Sequence, residues 1–251
     1  MTDPTSSSPS TTDPVLLVDD ADGVRLLTLN RPAALNAFDQ ALWYAVAEAL
    51  EEASADDSLR CVVLTGTGRA FSAGQDLGEM SDPSVFEGRE PGYRRLMPVV
   101  EAFDKPLVAA VNGIGVGIGL TILLHCDLVL IAESARLKVP FLSLGVTTEA
   151  SASLLMPAVM GRQRAMEVLL TEPWIDAAQA VADGLALRAV PDADLMDATM
   201  ELARRIGALP LAPLVATKRL VRDGRADAVR LARERELAAF EHLVGDLLRG
   251  A

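Results

Sequence analysis

Few side chains in this chain can do chemistry, and their spacing narrows the reaction classes. Histidine occurs only at His125 and His242, and cysteine only at Cys61 and Cys126. No His/Cys cluster has zinc spacing, no glycine loop leads into a Walker-type lysine, and no Gly-x-Ser-x-Gly elbow is present, so hydrolase triads and zinc sites are disfavoured. His125, beside Cys126 on an apolar element, reads as a hydrogen-bonded core residue, and His242, on a charged helix, as solvated. What remains is one isolated acid and two glycine-containing loops. Between Glu133 and Glu167 the only acidic residue is Glu149, at the start of an apolar helical stretch with Leu154, Leu155 and Met156. A carboxyl group there has a raised pKa suited to taking and returning a proton near neutral pH. The competing reading places Glu149 in the exposed first turn of a helix, favoured by the helix dipole. The loops are Gly66-Thr67-Gly68-Arg69-Ala70-Phe71-Ser72-Ala73-Gly74-Gln75-Asp76-Leu77 and Val111-Asn112-Gly113-Ile114-Gly115-Val116-Gly117-Ile118-Gly119. Glycine lets backbone approach a ligand and turn its N–H groups outward. Either loop alone also fits a tight turn with no ligand, and neither fits the dinucleotide fingerprint.

These residues need elements to position them. Val15–Val18 and Val24–Leu29 read as a hairpin joined by Asp19–Gly23, and Asp39 as the N-cap of a helix through Ala53. Cys61–Thr65, Leu107–Val111 and Leu128–Ala132 are apolar strands, an arginine-rich helix follows Pro91, and Leu120–Leu124 forms a helical turn or two. Strands alternating with helices at this spacing predict parallel β-α-β units, hence an α/β fold. The last third changes texture. Ala177–Ala182, Asp194–Ile206, Pro213–Val221 and Ala226–Leu248 carry helical periodicity. Such a helical annex packs against another subunit or forms a lid over its own core.

Composition bounds the whole. The 251 residues are 50% hydrophobic, enough for one sizeable core. The formal net charge of −12 repels nucleic acid and anionic membrane surfaces, so neither is an expected partner. Lysine is confined to Lys105, Lys138 and Lys218, leaving arginine as the main cation. The cysteine pair suits a reduced cytoplasmic setting. Residues 1–14, rich in Ser, Thr, Pro and Asp, read as a disordered tail without a secretory signal. Leu107–Leu124 has the length of a membrane span, but Asn112 and the alternating glycines break helix propensity over its first half.

In this order the segments Leu29-Asn30-Arg31-Pro32 with Leu35-Asn36-Ala37-Phe38, Phe71-Ser72-Ala73-Gly74-Gln75-Asp76-Leu77, Lys105-Pro106 with Ala110-Val111-Asn112-Gly113, and Cys126-Asp127 resemble the crotonase, or enoyl-CoA hydratase/isomerase, superfamily. The resemblance runs from Val15 to about Val221. It implies a crotonase-like spiral of ββα turns over residues 15–191, a helical region over 192–251 used in trimer formation, and acyl-CoA thioester substrates. It also implies an oxyanion hole built from the backbone N–H groups of Gln75 and Ile118. Two such donors stabilise an enolate, each by about 3 kcal/mol when pre-organised. The resemblance further places Ala33, Ala34 and Leu35 along the adenine end of coenzyme A, and Ala73, Gly74, Asp76, Leu77, Gly117, Thr121 and Phe141 around the bound thioester.

Hydratases of that superfamily use two glutamates to orient and deprotonate water. Thr121 and Phe141 stand at those positions here. Pro140-Phe141, Leu144-Gly145 and Glu149, with Gly117-Ile118 and Thr121 upstream, look like the peroxisomal-type Δ3,Δ2-enoyl-CoA isomerase branch, in which one glutamate at the position of Glu149 carries catalysis. The implied reaction moves a proton from C2 to C4 of a 3-enoyl-CoA and needs no metal or redox cofactor. Hydration or another acyl-CoA reaction using a different acid, with Asp76 and Glu79 as candidates, stays open, as does acyl-CoA binding without turnover. Thr147-Thr148 before the glutamate and Ala150-Ser151-Ala152 after it depart from the branch pattern. The chain ends at Ala251 without the superfamily's usual last segment, and Lys218 and the arginines of the final helix are the candidates to compensate in holding coenzyme A. A homotrimer, or a hexamer of paired trimers, is expected.

Overall fold

The Asp22-Gly23 pair sets the first element. Both residues take positive φ (54° and 75°), the pattern of a two-residue type I′ turn whose twist matches the strands it joins. The hairpin is accordingly tighter than the composition suggested: β1 (Leu16–Ala21) runs to Ala21, which pairs with Val24 at the start of β2 (Val24–Leu29). The computed structural model describes residues 13–80 and 88–249, so most of the expected N-terminal tail, residues 1–12, lies outside the described residues.

From β2 the chain enters α1 (Gln40–Ala55), whose N-cap Asp39 accepts the Leu42 N–H at 2.8 Å. Then β3 (Cys61–Gly66) joins the hairpin's sheet, and β4 (Ala70–Ser72) turns away into a second one. The pattern repeats. After α2 (Leu77–Met80) and α3 (Gly92–Ala102), β5 (Leu107–Val111) returns to the first sheet and β6 (Ile114–Val116) to the second. After α4 (Ile118–Thr121) and a 3-10 turn over Ile122–His125, β7 (Leu128–Ala132) and β8 (Arg136–Lys138) do the same. The result is a spiral of two sheets, the first ordered β1-β2-β3-β5-β7-β10 and the second β4-β6-β8-β9.

The short strands β4, β6 and β8 were not legible as strands. Their three residues each are too few to display a period. The span-length run Leu107–Leu124 is thereby divided among β5, β6 and α4, and no helix among the described residues is long and apolar enough to cross a membrane.

The remaining elements are α5 (Ala152–Met160), α6 (Arg162–Thr171), β9 (Ile175–Asp176), α7 (Ala177–Ala182), β10 (Arg188–Val190), α8 (Leu195–Gly207), α9 (Leu211–Asp223) and α10 (Ala226–Arg249). Pro213 lies in the first turn of α9, where a missing N–H costs nothing, so that helix starts earlier than expected. Helix α8 packs on the main sheet through Leu195, Thr199 and Ala203, all buried. Helix α9 buries no residue, and Leu220 and Val221 are 80% and 71% exposed. Helix α10 crosses back over α5.

Candidate active site

The quoted sequence motifs are mostly braces. Asn36 is fully buried; its Nδ2 donates to the carbonyls of Thr67 and Ala70, and its Oδ1 accepts the Arg31 N–H. Asn112 accepts the Gly66 N–H and donates to the Gly68 carbonyl. Arg31 bridges Asp39 and Asp76, each at 3.0 Å. Lys105 closes the C-terminal end of α1 through the carbonyls of Ala53 and Asp56, and Asp127 accepts the Leu107 N–H. These contacts press the two glycine loops together so tightly that a Cβ on Gly119 would lie 2.3 Å from the Ser72 carbonyl oxygen.

The N–H groups of Gln75 and Ile118 take no part in these bracing contacts. Phe38 forms a parallel bridge opposite Gln75, in which the Phe38 N–H donates to the Gly74 carbonyl and the Asp76 N–H to the Phe38 carbonyl. That pairing turns the N–H of Gln75 to the other side. In the second loop, Gly117 donates to the Lys138 carbonyl and receives the N–H groups of Leu120 and Thr121, leaving Ile118 in the open first turn of α4. Among the described residues, no hydrogen bond uses the N–H of Gln75 or of Ile118. Gly74 and Gly117 both take positive φ, 101° and 55°. A methyl group on Gly117 would lie 3.9 Å from Gly74 Cα, 3.9 Å from the Phe141 ring and 4.0 Å from Glu149 Oε1. The expected acid therefore stands beside Gly117, the residue before Ile118 in the second loop.

Glu149 is not in a helix. Helix α5 begins three residues later, and the exposed first-turn reading gives way to a partly buried side chain. It lines a cavity of about 50 Å³ with Tyr93, Thr148, Glu236, Leu237 and Phe240. Burial first, and then the charge of Glu236, push its pKa up to about 7. Thr148 Oγ1 is buried and has no hydrogen-bond partner among the described residues. Sequence reasoning missed Tyr93, Glu236, Leu237 and Phe240.

Tyr93 is placed by packing. A Cβ on Gly92 would lie 2.3 Å from Trp43 Cβ, so only glycine lets α3 close on α1 there. The Trp43 indole meets Tyr93 edge-on at 5.8 Å and donates through Nε1 to Gln75 Oε1 at 2.9 Å. The Gln75 side chain is thus a support for this packing. The Tyr93 hydroxyl in turn accepts the Ala150 N–H at 2.8 Å.

The other expected residues divide. Thr121 is fully buried and its hydroxyl turns back to the Gly117 carbonyl, while Phe141 packs on Gly117. Ala33 is exposed, Ala34 and Leu35 are partly buried, and the Leu35 carbonyl accepts the Ala73 N–H, which sets this segment against the first loop. Leu77 is exposed at the start of α2. Burial raises the Asp76 pKa, but Arg31 and the N–H groups of Gly78 and Glu79 outweigh it, so Asp76 stays an ionised brace. Glu79 accepts the Gln40 N–H at the start of α1. Lys218 is bound to Asp127 and the Lys105 carbonyl, both at 2.7 Å. His125 meets the Ala150 carbonyl at 2.8 Å, and burial lowers its pKa to about 4, so the neutral ring donates from Nε2. Among the described residues, no group of three or more His, Cys, Asp or Glu could hold a metal ion.

This two-sheet spiral of ββα turns is the architecture of an acyl-CoA-processing enzyme of the crotonase type. Residues 19–247 match the profile of the Enoyl-CoA hydratase/isomerase family, and the chain belongs to that family. It is 35% identical over 213 residues to the 1,2-epoxyphenylacetyl-CoA isomerase of Escherichia coli strain K12, covering 82% of this chain and 81% of that one. Over 224 residues it is also 35% identical to the 2,3-dehydroadipyl-CoA hydratase of the same strain, covering 88% of both. The enoyl-CoA hydratase/isomerase structure from Pseudoalteromonas atlantica T6c superposes with a TM-score of 0.89 at 35% identity, covering 92% of this chain and 91% of the other.

Proposed function

We propose that this protein is a Δ3,Δ2-enoyl-CoA isomerase in which Glu149 is the single base. The observation that carries the reading is the Glu149 carboxyl beside Gly117, with a pKa near 7. In this reading the N–H groups of Gln75 and Ile118 hold the thioester oxygen. Glu149 removes a proton from C2, the C–H electron pair moves into the thioester to give a dienolate whose charge sits on the held oxygen, and as the carbonyl re-forms the double bond shifts to C2–C3 while the C3–C4 π pair takes the proton from the same carboxyl at C4. The product is the 2-enoyl-CoA, reached without metal or redox chemistry. Ala33, Ala34 and Leu35 lie along coenzyme A, with Ala73, Gly74, Gly117, Thr121 and Phe141 around the thioester and Asp76 and Leu77 at the loop's outer end. The chain acts in the cytoplasm as a trimer or a pair of trimers.

Hydration has one specific observation in its favour, a second carboxyl, Glu236, in the same cavity. Both Glu236 oxygens already accept backbone N–H groups, which disfavours it as a proton carrier. The assay is conversion of a short 3-enoyl-CoA to the 2-enoyl isomer by wild type and by Glu149→Gln. The reading expects a loss of about 10³-fold or more with the fold intact. Retained isomerisation in that variant, or faster water addition to a 2-enoyl-CoA than isomerisation in the wild type, rejects it.

A further inference from the structure

The residues just after Glu149 adopt a conformation that side chains disfavour. Ala150 and Ser151 sit consecutively in the left-handed region, at φ 57° and 60°, and both are fully buried. Two such non-glycine residues are strained and persist only where surrounding contacts over-determine them. Those contacts are present. Tyr93 on α3 receives the Ala150 N–H, and His125 holds the Ala150 carbonyl. The rest come from α10: Glu236 Oε2 accepts the Ser151 N–H at 2.7 Å, Glu236 Oε1 accepts the Ser153 N–H at 2.8 Å, and the Ser151 hydroxyl donates to the Val229 carbonyl at 2.8 Å. Helix α10 is itself anchored to α3 by the Arg233–Glu101 pair at 2.8 Å and by Arg94–Glu241.

Resting on the assignment of Glu149 as base, we propose that Glu236 is a positioning residue, which latches the left-handed turn at Ala150-Ser151 and so aims Glu149 at the Gly117 loop. A carboxylate is suited to this task because it has two acceptor oxygens and no donor, matching two N–H groups at the start of α5. Its charge also acts on the base. Burial is the larger cause of the raised Glu149 pKa, and Glu236 adds to it. The titratable and charged groups facing this pair are Tyr93 and Glu101 on α3 and Arg233 and Arg235 on α10, with His125 neutral behind Ala150.

Glu236→Gln tests both actions. Its amide can accept only one of the two N–H groups and carries no charge. The expected result is a fall in kcat of about 10–100-fold with KM changed less than about 3-fold. The acidic inflection of kcat/KM moves down by about half a pH unit or more, since loss of a neighbouring negative charge favours ionised Glu149. Glu236→Asp keeps the charge with a shorter reach, so kcat falls while the inflection stays near the wild-type value. Wild-type kcat and inflection in Glu236→Gln overturn the proposal. If Glu236→Gln does not fold, unchanged kcat in Glu236→Asp overturns it instead.

A readout free of turnover separates this proposal from the one beneath it. The infrared C=O stretch of protonated Glu149, identified by its disappearance in Glu149→Gln, is titrated in wild type and Glu236→Gln. A band that moves to lower pH in Glu236→Gln, while Glu149→Gln still turns over, upholds the link between the two glutamates and rejects Glu149 as base. A band that stays put, together with an inactive Glu149→Gln, rejects Glu236 alone.

Discussion

Glu149 is held near pH 7 mainly because its ionised form is poorly solvated beside Tyr93, Leu237 and Phe240, and this has a thermodynamic consequence as well as a kinetic one. Its folded pKa lies above the ordinary value of 4.5, so the folded protein takes up a proton between those limits. The stability this provides is fully present below pH 4.5 and is lost as pH rises through about 7. Glu149→Gln, which cannot ionise, is therefore expected to be more stable than wild type by about 3 kcal/mol at pH 8 and by little at pH 4. Urea denaturation at the two pH values measures this, and an equal difference at both would mean that the ionised carboxylate is well solvated. For catalysis the sign is opposite, because the base must be ionised. The kcat/KM of the wild type should rise with pH through an inflection near 7, read from initial rates across pH 5–9.

At the scale of elements, the site depends on how closely backbone segments approach. Gly92 allows α3 to touch α1 at Trp43, which orients Tyr93 and, through it, the turn after Glu149. Gly92→Ala places a methyl group where Trp43 already stands, so we expect a loss of about 1–3 kcal/mol in chemical denaturation, with lower activity from the displaced Tyr93. Gly119→Ala is expected to be harsher. Its methyl meets the backbone oxygen of Ser72, which has no rotamer to escape into, so little soluble protein should be recovered on expression. A soluble Gly119→Ala protein with wild-type activity would show that the two loops are less closely packed than described. Asp39 capping of α1, by contrast, was legible in the sequence, because an N-cap is a contact between residues three apart.

For the molecule as a whole, the question is what covers its outer helices. Helix α10 serves its own chain, crossing α5 and presenting Glu236, Leu237 and Phe240 to the Glu149 cavity. Helix α9 exposes Leu220 and Val221 and buries none of its residues, as expected of a helix that meets another copy in the proposed trimer. Sedimentation equilibrium should therefore give three or six times the mass of one chain, with Leu220→Glu/Val221→Glu shifting it toward the monomer. A wild-type monomer at micromolar concentration would refute the assembly.

The sequence by itself determined what is local or repeated at short range. The α/β alternation, the buried strands β3, β5 and β7, the Asp39 cap, the long C-terminal helices and the isolation of Glu149 among apolar residues all follow from periodicity, capping chemistry and composition. Tertiary structure alone decided which side chains share the cavity with that acid. Tyr93 reaches Ala150 across 57 positions, and Glu236 reaches Ser151 across 85. Each sits on an amphipathic helix whose pattern is that of any core-facing helix. A hydrogen bond between distant segments leaves no mark on the periodicity of either, and appears only when the sheets have brought the helices together.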